Sequence, residues 1–162
     1  MVGNILYAKF GVAVKNIGII GFGILVLVIV GAIFVARDYG EPSPILAAGS
    51  IEISPELEAA ASPLDTLFLI FFDQDSQMPM PYGAIRYKLN KAAQGEFHKF
   101  IVTPDNLNIM NPNGPKPSRF RIKAKLDADG TAGMDAAGDL VGEVLEVTPG
   151  AMDLRVKIDR RL

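Results

Sequence analysis

The sequence predicts one N-terminal transmembrane α-helix followed by an all-β domain, an antiparallel β-sandwich of about seven strands. Three observations carry that prediction. Ile17 to Ala36 (IGIIGFGILVLVIVGAIFVA) is a twenty-residue run without a charge or an amide. From Ser50 onward, apolar residues recur at alternate positions rather than at helical spacing. Clusters of Pro, Gly, Asn and Asp separate these alternating runs, and no helical period lies between them, which argues against a parallel α/β sheet.

The apolar run comes first. At 1.5 Å per residue, about twenty helical residues cross a hydrocarbon core of about 30 Å. A soluble helix would carry a polar face, which this run lacks. The apolar region of a signal peptide is shorter, about 7–15 residues. Lys9 and Lys15 precede the run, whereas Arg37 follows it beside Asp38 and Glu41. Basic flanks stay in the cytoplasm, so residues 1–16 are expected to be cytoplasmic and residues 17–36 to span the inner (cytoplasmic) membrane once. The remainder is then periplasmic. Gly18, Gly21 and Gly23 leave backbone open to close approach, as at helix–helix contacts in lipid, and are candidate partner contacts. Residues 37–49 (RDYGEPSPILAAG) read as a short stalk stiffened by Pro42 and Pro44, and residues 50–162 as the periplasmic domain.

Within that domain, Ile51 and Ile53 alternate with Glu52. Thr66 to Phe72 (TLFLIFF) is wholly apolar, as expected of a strand buried on both faces. Tyr82 to Leu89 places Ile85, Tyr87 and Leu89 on one side and Arg86 and Lys88 on the other. In Glu96 to Thr103, Phe97, Ile101 and Thr103 fall in step. Arg119 to Leu126 alternates most regularly, with Phe120, Ile122, Ala124 and Leu126 inward and Arg119, Arg121, Lys123 and Lys125 outward. Leu140 to Val147 and Asp153 to Asp159 complete the strands, and Glu56 to Ala61 fits one helical turn.

Two features point toward partners. The connection Pro104 to Ser118 is long for a compact domain, and loops of that length are usually functional. Asn108, Met110, Asn111 and Asn113 at its tip are candidate contacts. The basic row Arg119, Arg121 and Lys123, with Lys125, reads either as a solvated outer face or as a docking surface for an acidic partner or anionic headgroups. Arg155 and Lys157 would add to it.

Composition excludes several classes. A net charge of −2 gives no case for nucleic acid. The absence of Cys removes disulfides, thiolate metal sites and covalent haem attachment, and a single His is too few for most zinc sites. Asp127 to Asp139 (DADGTAGMDAAGD) has its glycine and final acid at the wrong positions for a calcium loop, and reads as a hairpin turn. No nucleophile elbow, HExxH, phosphate loop or dinucleotide fingerprint is present. The chain is therefore expected to be non-enzymatic, with no catalytic, cofactor-binding or metal-binding residues.

Seven pieces, in order, resemble the C-terminal periplasmic domain of the CcmI/CycH-type cytochrome c biogenesis factors. They are GSIEISPEL from Gly49, TLFLIFFD from Thr66, MPMPYGAIR from Met78, VTPDNLNIMNP from Val102, FRIKAKLDADGTA from Phe120, GDLVGEV from Gly138 and LRVKID from Leu154. The resemblance implies a β-rich, non-enzymatic module that assists delivery of apocytochrome c to the haem-ligation machinery. This chain departs from the family in having one apolar membrane run rather than two and no tetratricopeptide repeats. Two functions are thus expected. One is an accessory subunit of a respiratory or photosynthetic electron-transfer complex, contacting other subunits and the bilayer. The alternative is a cytochrome c maturation factor.

Overall fold

The computed structural model describes residues 42–77, 80–129 and 135–162. Ser43–Leu162 forms one compact unit. The apolar run 17–36, the segment 1–16, the stalk as far as Glu41, and with them Gly18, Gly21 and Gly23, lie outside the described residues. Among the described residues no helix is long and apolar enough to cross a membrane.

Alternation of apolar and polar side chains gives strands at each of the seven expected places. They are β1 (Ala47–Ile53), β2 (Thr66–Asp73), β3 (Pro81–Lys88), β4 (Glu96–Val102), β6 (Phe120–Asp127), β7 (Leu140–Val147) and β8 (Ala151–Ile158). Two-residue strands β5 (Asn108–Ile109) and β9 (Arg160–Arg161) join them. The helical turn expected at Glu56 is a 3-10 turn, Pro55–Leu57, running into α1 (Glu58–Ala61).

The strands form two sheets, a three-stranded one ordered β4-β1-β8 and a six-stranded one ordered β5-β3-β2-β6-β7-β9. The expectation of a purely antiparallel domain is corrected at one place: β1 and β8 run parallel, while every other described pair is antiparallel. Period-two alternation is the same in both arrangements, so it carries no information about a neighbour's direction.

Both sheets contribute to one hydrophobic cluster. Ile51 and Ile53 of β1, Phe100 and Val102 of β4, and Val156 and Ile158 of β8 join Leu67, Leu69 and Phe71 of β2 and Phe120, Ile122, Ala124 and Leu126 of β6. Burying each large aliphatic or aromatic side chain contributes about 1.5–3 kcal/mol. On β4 the inward set is Phe100 and Val102, whereas Ile101 is 59% exposed. Both parities of β4 are apolar, so only its pairing with β1, Ala47 opposite Val102 and Gly49 opposite Phe100, decides which set faces in.

β1 begins at Ala47, inside the stretch that reads as stalk, and Ala47 and Ala48 are buried. Gly49 explains why small residues are needed there. A Cβ on it would lie far inside van der Waals contact distance of the Leu154 carbonyl oxygen of β8. Gly142 of β7 meets the Lys157 carbonyl of β8 in the same way. The two sheets join at that corner: Asp159 N–H donates to the Val141 carbonyl at 3.1 Å, and the chain passes from β8 in the small sheet to β9 in the large one.

Candidate partner-docking groove

Because Leu67, Leu69 and Phe71 of β2 enter the core, alternation sends Phe68, Ile70 and Phe72 to the opposite face of the six-stranded sheet. Strand register builds three rows across that face. Phe68 lies between Arg86 and Lys125, Ile70 between Ala84 and Lys123, and Phe72 between Pro81 and Arg121. Rows two residues apart are about 7 Å from each other, so the apolar strip is about 14 Å long from Phe68 to Phe72.

Side-chain size makes this face concave. Ala84 and Pro81 on β3 are short, whereas the β6 side chains are long. Beyond β3, the short strand β5 raises the other wall with Asn108 and, just after it, Met110. Gly83 lets that wall sit close, since a Cβ there would meet Leu107 and the Asn108 carbonyl oxygen at 2.8 and 2.9 Å. Asn106 fixes the approach to β5 by accepting from Thr103 N–H and donating to the Ile101 carbonyl, both at 2.9 Å. The result is a cavity of about 1060 Å³ whose apolar floor lies between amide and cationic walls.

The cations are held in two ways. Arg121 stacks 4.2 Å from the Phe72 ring centroid and lies 3.6 Å from Glu143, a carboxylate also approached by Arg160 at 3.8 Å. Arg86 and Lys125 lie 6.0 and 5.6 Å from the Phe68 ring centroid. Lys123 pairs with Asp135 at 2.6 Å. Lys125 is 1% exposed and sits between Asp127 at 2.6 Å and Asp139 at 3.2 Å, both buried. Lys125 thereby supplies the positive charge between these two carboxylates.

Asp139 also accepts from the backbone N–H groups of Ala128 and Ala136, at 3.0 and 2.9 Å. Burial pushes its pKa upward, but those two donors and the Lys125 ammonium outweigh burial and hold it below the ordinary carboxylate value. Burial likewise disfavours the Lys125 ammonium. The two carboxylates reverse that, and its pKa is raised. The connection between β6 and β7 is thus tied onto the outer face of the sheet through Asp135 and Asp139.

The structure brings four of the sequence candidates to this groove: Asn108, Met110, Arg121 and Lys123. Arg119 lies beyond its end, paired with Asp75 at 2.5 Å and with Glu146 at 3.6 Å. Asn111 and Asn113 are exposed on the loop outside the groove. Of the two readings of the basic row, the solvated face is corrected at Lys123 and Lys125. Lys123 and Lys125 are 8% and 1% exposed, because acidic residues of the following connection fold over them. The expected two-sided burial of β2 holds at Phe68, which is 3% exposed, and is corrected at Ile70 and Phe72, which are half-buried and open into the groove. Arg155 and Lys157 belong to the other sheet and do not extend the row.

Phe68, Ile70, Phe72, Ala84 and Arg86 were not singled out by sequence reasoning. The available signal was an apolar strand beside a strand with strictly basic outward positions, an arrangement that leaves the apolar side chains next to charge rather than inside a second core. The lining combines an apolar floor with amide, cationic and carboxylate side chains, and contains neither hydroxyl nor imidazole groups. His98, the single histidine, packs against Tyr87 away from this groove, with ring centroids 4.3 Å apart and planes tilted by 51°, and burial lowers its pKa. No protein-family model matches the chain, and no curated protein or solved structure matches it either.

Proposed function

We propose that the chain is a membrane-anchored, non-catalytic accessory subunit of a larger membrane electron-transfer complex, respiratory or photosynthetic. In this reading residues 17–36 are the anchor, the β-domain is periplasmic, and the outer face of the six-stranded sheet receives a partner subunit. The observation that carries the reading is the groove over Phe68, Ile70 and Phe72, walled by Met110, Arg86 and Arg121. Aromatic residues, Met and Arg are the types enriched at protein interfaces and their energetic centres. Most of these side chains stand on paired strands, so little conformational entropy is lost when a partner binds.

A second reading is supported by the seven sequence pieces that resemble the CcmI/CycH-type factors. In it the same groove receives a segment of an apocytochrome or of a haem-ligation protein during maturation. Purification of the tagged full chain in gentle detergent, with an absorption spectrum and mass spectrometry of the sizing-column peak, separates the two. Stoichiometric partners with haem or bacteriochlorophyll bands support the resident subunit. A peak holding this chain alone, or with traces of haem-ligation proteins, overturns it in favour of the maturation factor.

A further inference from the structure

We infer that the groove is built for an extended, acidic and apolar segment of a partner protein, with two carboxylates about four residues apart. This inference rests on the docking reading above and specifies the chemistry of the occupant.

The argument begins with charge. Four cations line the groove, Arg86, Arg121, Lys123 and Lys125, against one lining carboxylate, Asp135. Lys123 and Lys125 are committed to Asp135, Asp127 and Asp139. Arg86 and Arg121 are not neutralised in the same way. Arg86 makes no salt bridge among the described residues and acts on Asp65 only at longer range, behind the closer Lys88, and it is exposed beside Phe68. Arg121 shares the single carboxylate of Glu143 with Arg160. The excess positive charge therefore sits at the two ends of the strip, beside Phe68 and beside Phe72. Arg121 lies close over the Phe72 ring, which positions it before a ligand arrives, while Arg86 stands at the outer limit of such contact with Phe68.

The spacing then selects the occupant. The rows of Phe68 and Phe72 are about 14 Å apart, and four residues of extended chain cover the same distance. An extended segment laid along β2 thus places side chains i and i+4 at the two arginines and side chain i+2 over Ile70. Ala84 leaves room for that central side chain to be large and apolar. A carboxylate is the protein group that matches a guanidinium with two parallel hydrogen bonds.

The test uses the full chain in lipid nanodiscs as bait for a phage-displayed library of random twelve-residue peptides, with depletion on the Ile70→Asp variant. Melting curves by circular dichroism establish that the variants fold, and Ala84→Arg, which fills the floor from a half-buried position, serves if Ile70→Asp does not. The expected result is enrichment of peptides with two acidic residues four apart around an apolar one. Synthetic versions should lose about tenfold in affinity on Arg86→Glu and weaken as salt rises from about 50 to about 500 mM. Peptides that need an open floor but are indifferent to Arg86→Glu and to salt overturn the acidic occupant while leaving the docking reading intact. Peptides that bind the floor variants as well as wild type, or no enrichment at all, overturn both.

Discussion

Two strands carry basic residues at alternate positions, and they meet opposite fates. On β6, Lys123 and Lys125 are almost wholly buried by acidic residues of the connection to β7. On β8, Arg155 and Lys157 stand exposed on the other sheet. The local patterns are nearly the same, RIKAKL against LRVKI. Alternation tells which side chains leave the core, and the segment C-terminal to each strand decides whether leaving the core means reaching water. Asp127 closes β6 beside Lys125, and after it come Asp135 and Asp139, which turn back over the lysines. After β8 comes the two-residue strand β9.

The largest effect should come from breaking the buried side of this comparison. Lys125→Met leaves Asp127 and Asp139 buried without their cation, and should cost about 3–5 kcal/mol in urea unfolding. Lys157→Met on β8 should stay within about 0.5 kcal/mol. Equal losses at the two positions would sink the contrast.

Next in size is the corner where the strands of the two sheets cross. Gly142→Ala drives a methyl group into the Lys157 carbonyl and should destabilise by about 1–3 kcal/mol or more. Gly95, with φ of 51° and open space around its Cβ position, should lose only about 1 kcal/mol on the same change. Thermal melts of the two variants side by side measure the difference.

pH sharpens the comparison further. The folded-state pKa of Asp139 lies below its unfolded value near 3.8, so its contribution is present above that value and is lost as pH falls through the folded pKa. Lys125 is raised above 10.5, so its contribution is complete below that value and is lost as pH climbs through the folded pKa. Asp139→Asn should flatten the acid limb of the stability curve and Lys125→Met the alkaline limb.

The smallest effect expected is at His98. Burial lowers its pKa beneath the ordinary 6.5, so the fold favours the neutral ring, and stability should fall as pH drops below about 6.5. His98→Phe keeps an aromatic ring against Tyr87 and should remove that shallow slope in denaturant titrations between pH 7 and pH 5, as read against wild type. A slope unchanged by the substitution would assign it to another group.

Much of the domain was legible because its strands are short-range events. Phe120, Ile122, Ala124 and Leu126 fall on one face by parity alone, and all of them enter the core. What parity leaves open depends on distant residues. The inward set of β4 is fixed by β1, the stalk-like Ala47–Gly49 becomes a strand because β8 presses against it, and the parallel pairing of β1 with β8 has no local signature. The groove was half legible. Asn108, Met110, Arg121 and Lys123 were candidates for separate reasons, a long loop and a basic row, and register brings them together. Its floor was hidden because an apolar strand reads as core whichever side it faces.

The parallel pairing of β1 with β8 also bears on how the domain is made. Ala47 and Ala151, partners in that pairing, are about a hundred residues apart in the chain, a closure that costs more entropy than a hairpin. Until β8 has been synthesised, β1 can form only its pairing with β4, and the apolar face of the small sheet lacks one of its three strands. Contacts of such long range slow folding and leave β edges open to other chains in the meantime. Ribosome-bound chains stopped before Ala151 should therefore remain protease-sensitive, and this domain should depend on protection during synthesis more than one whose early strands close on each other.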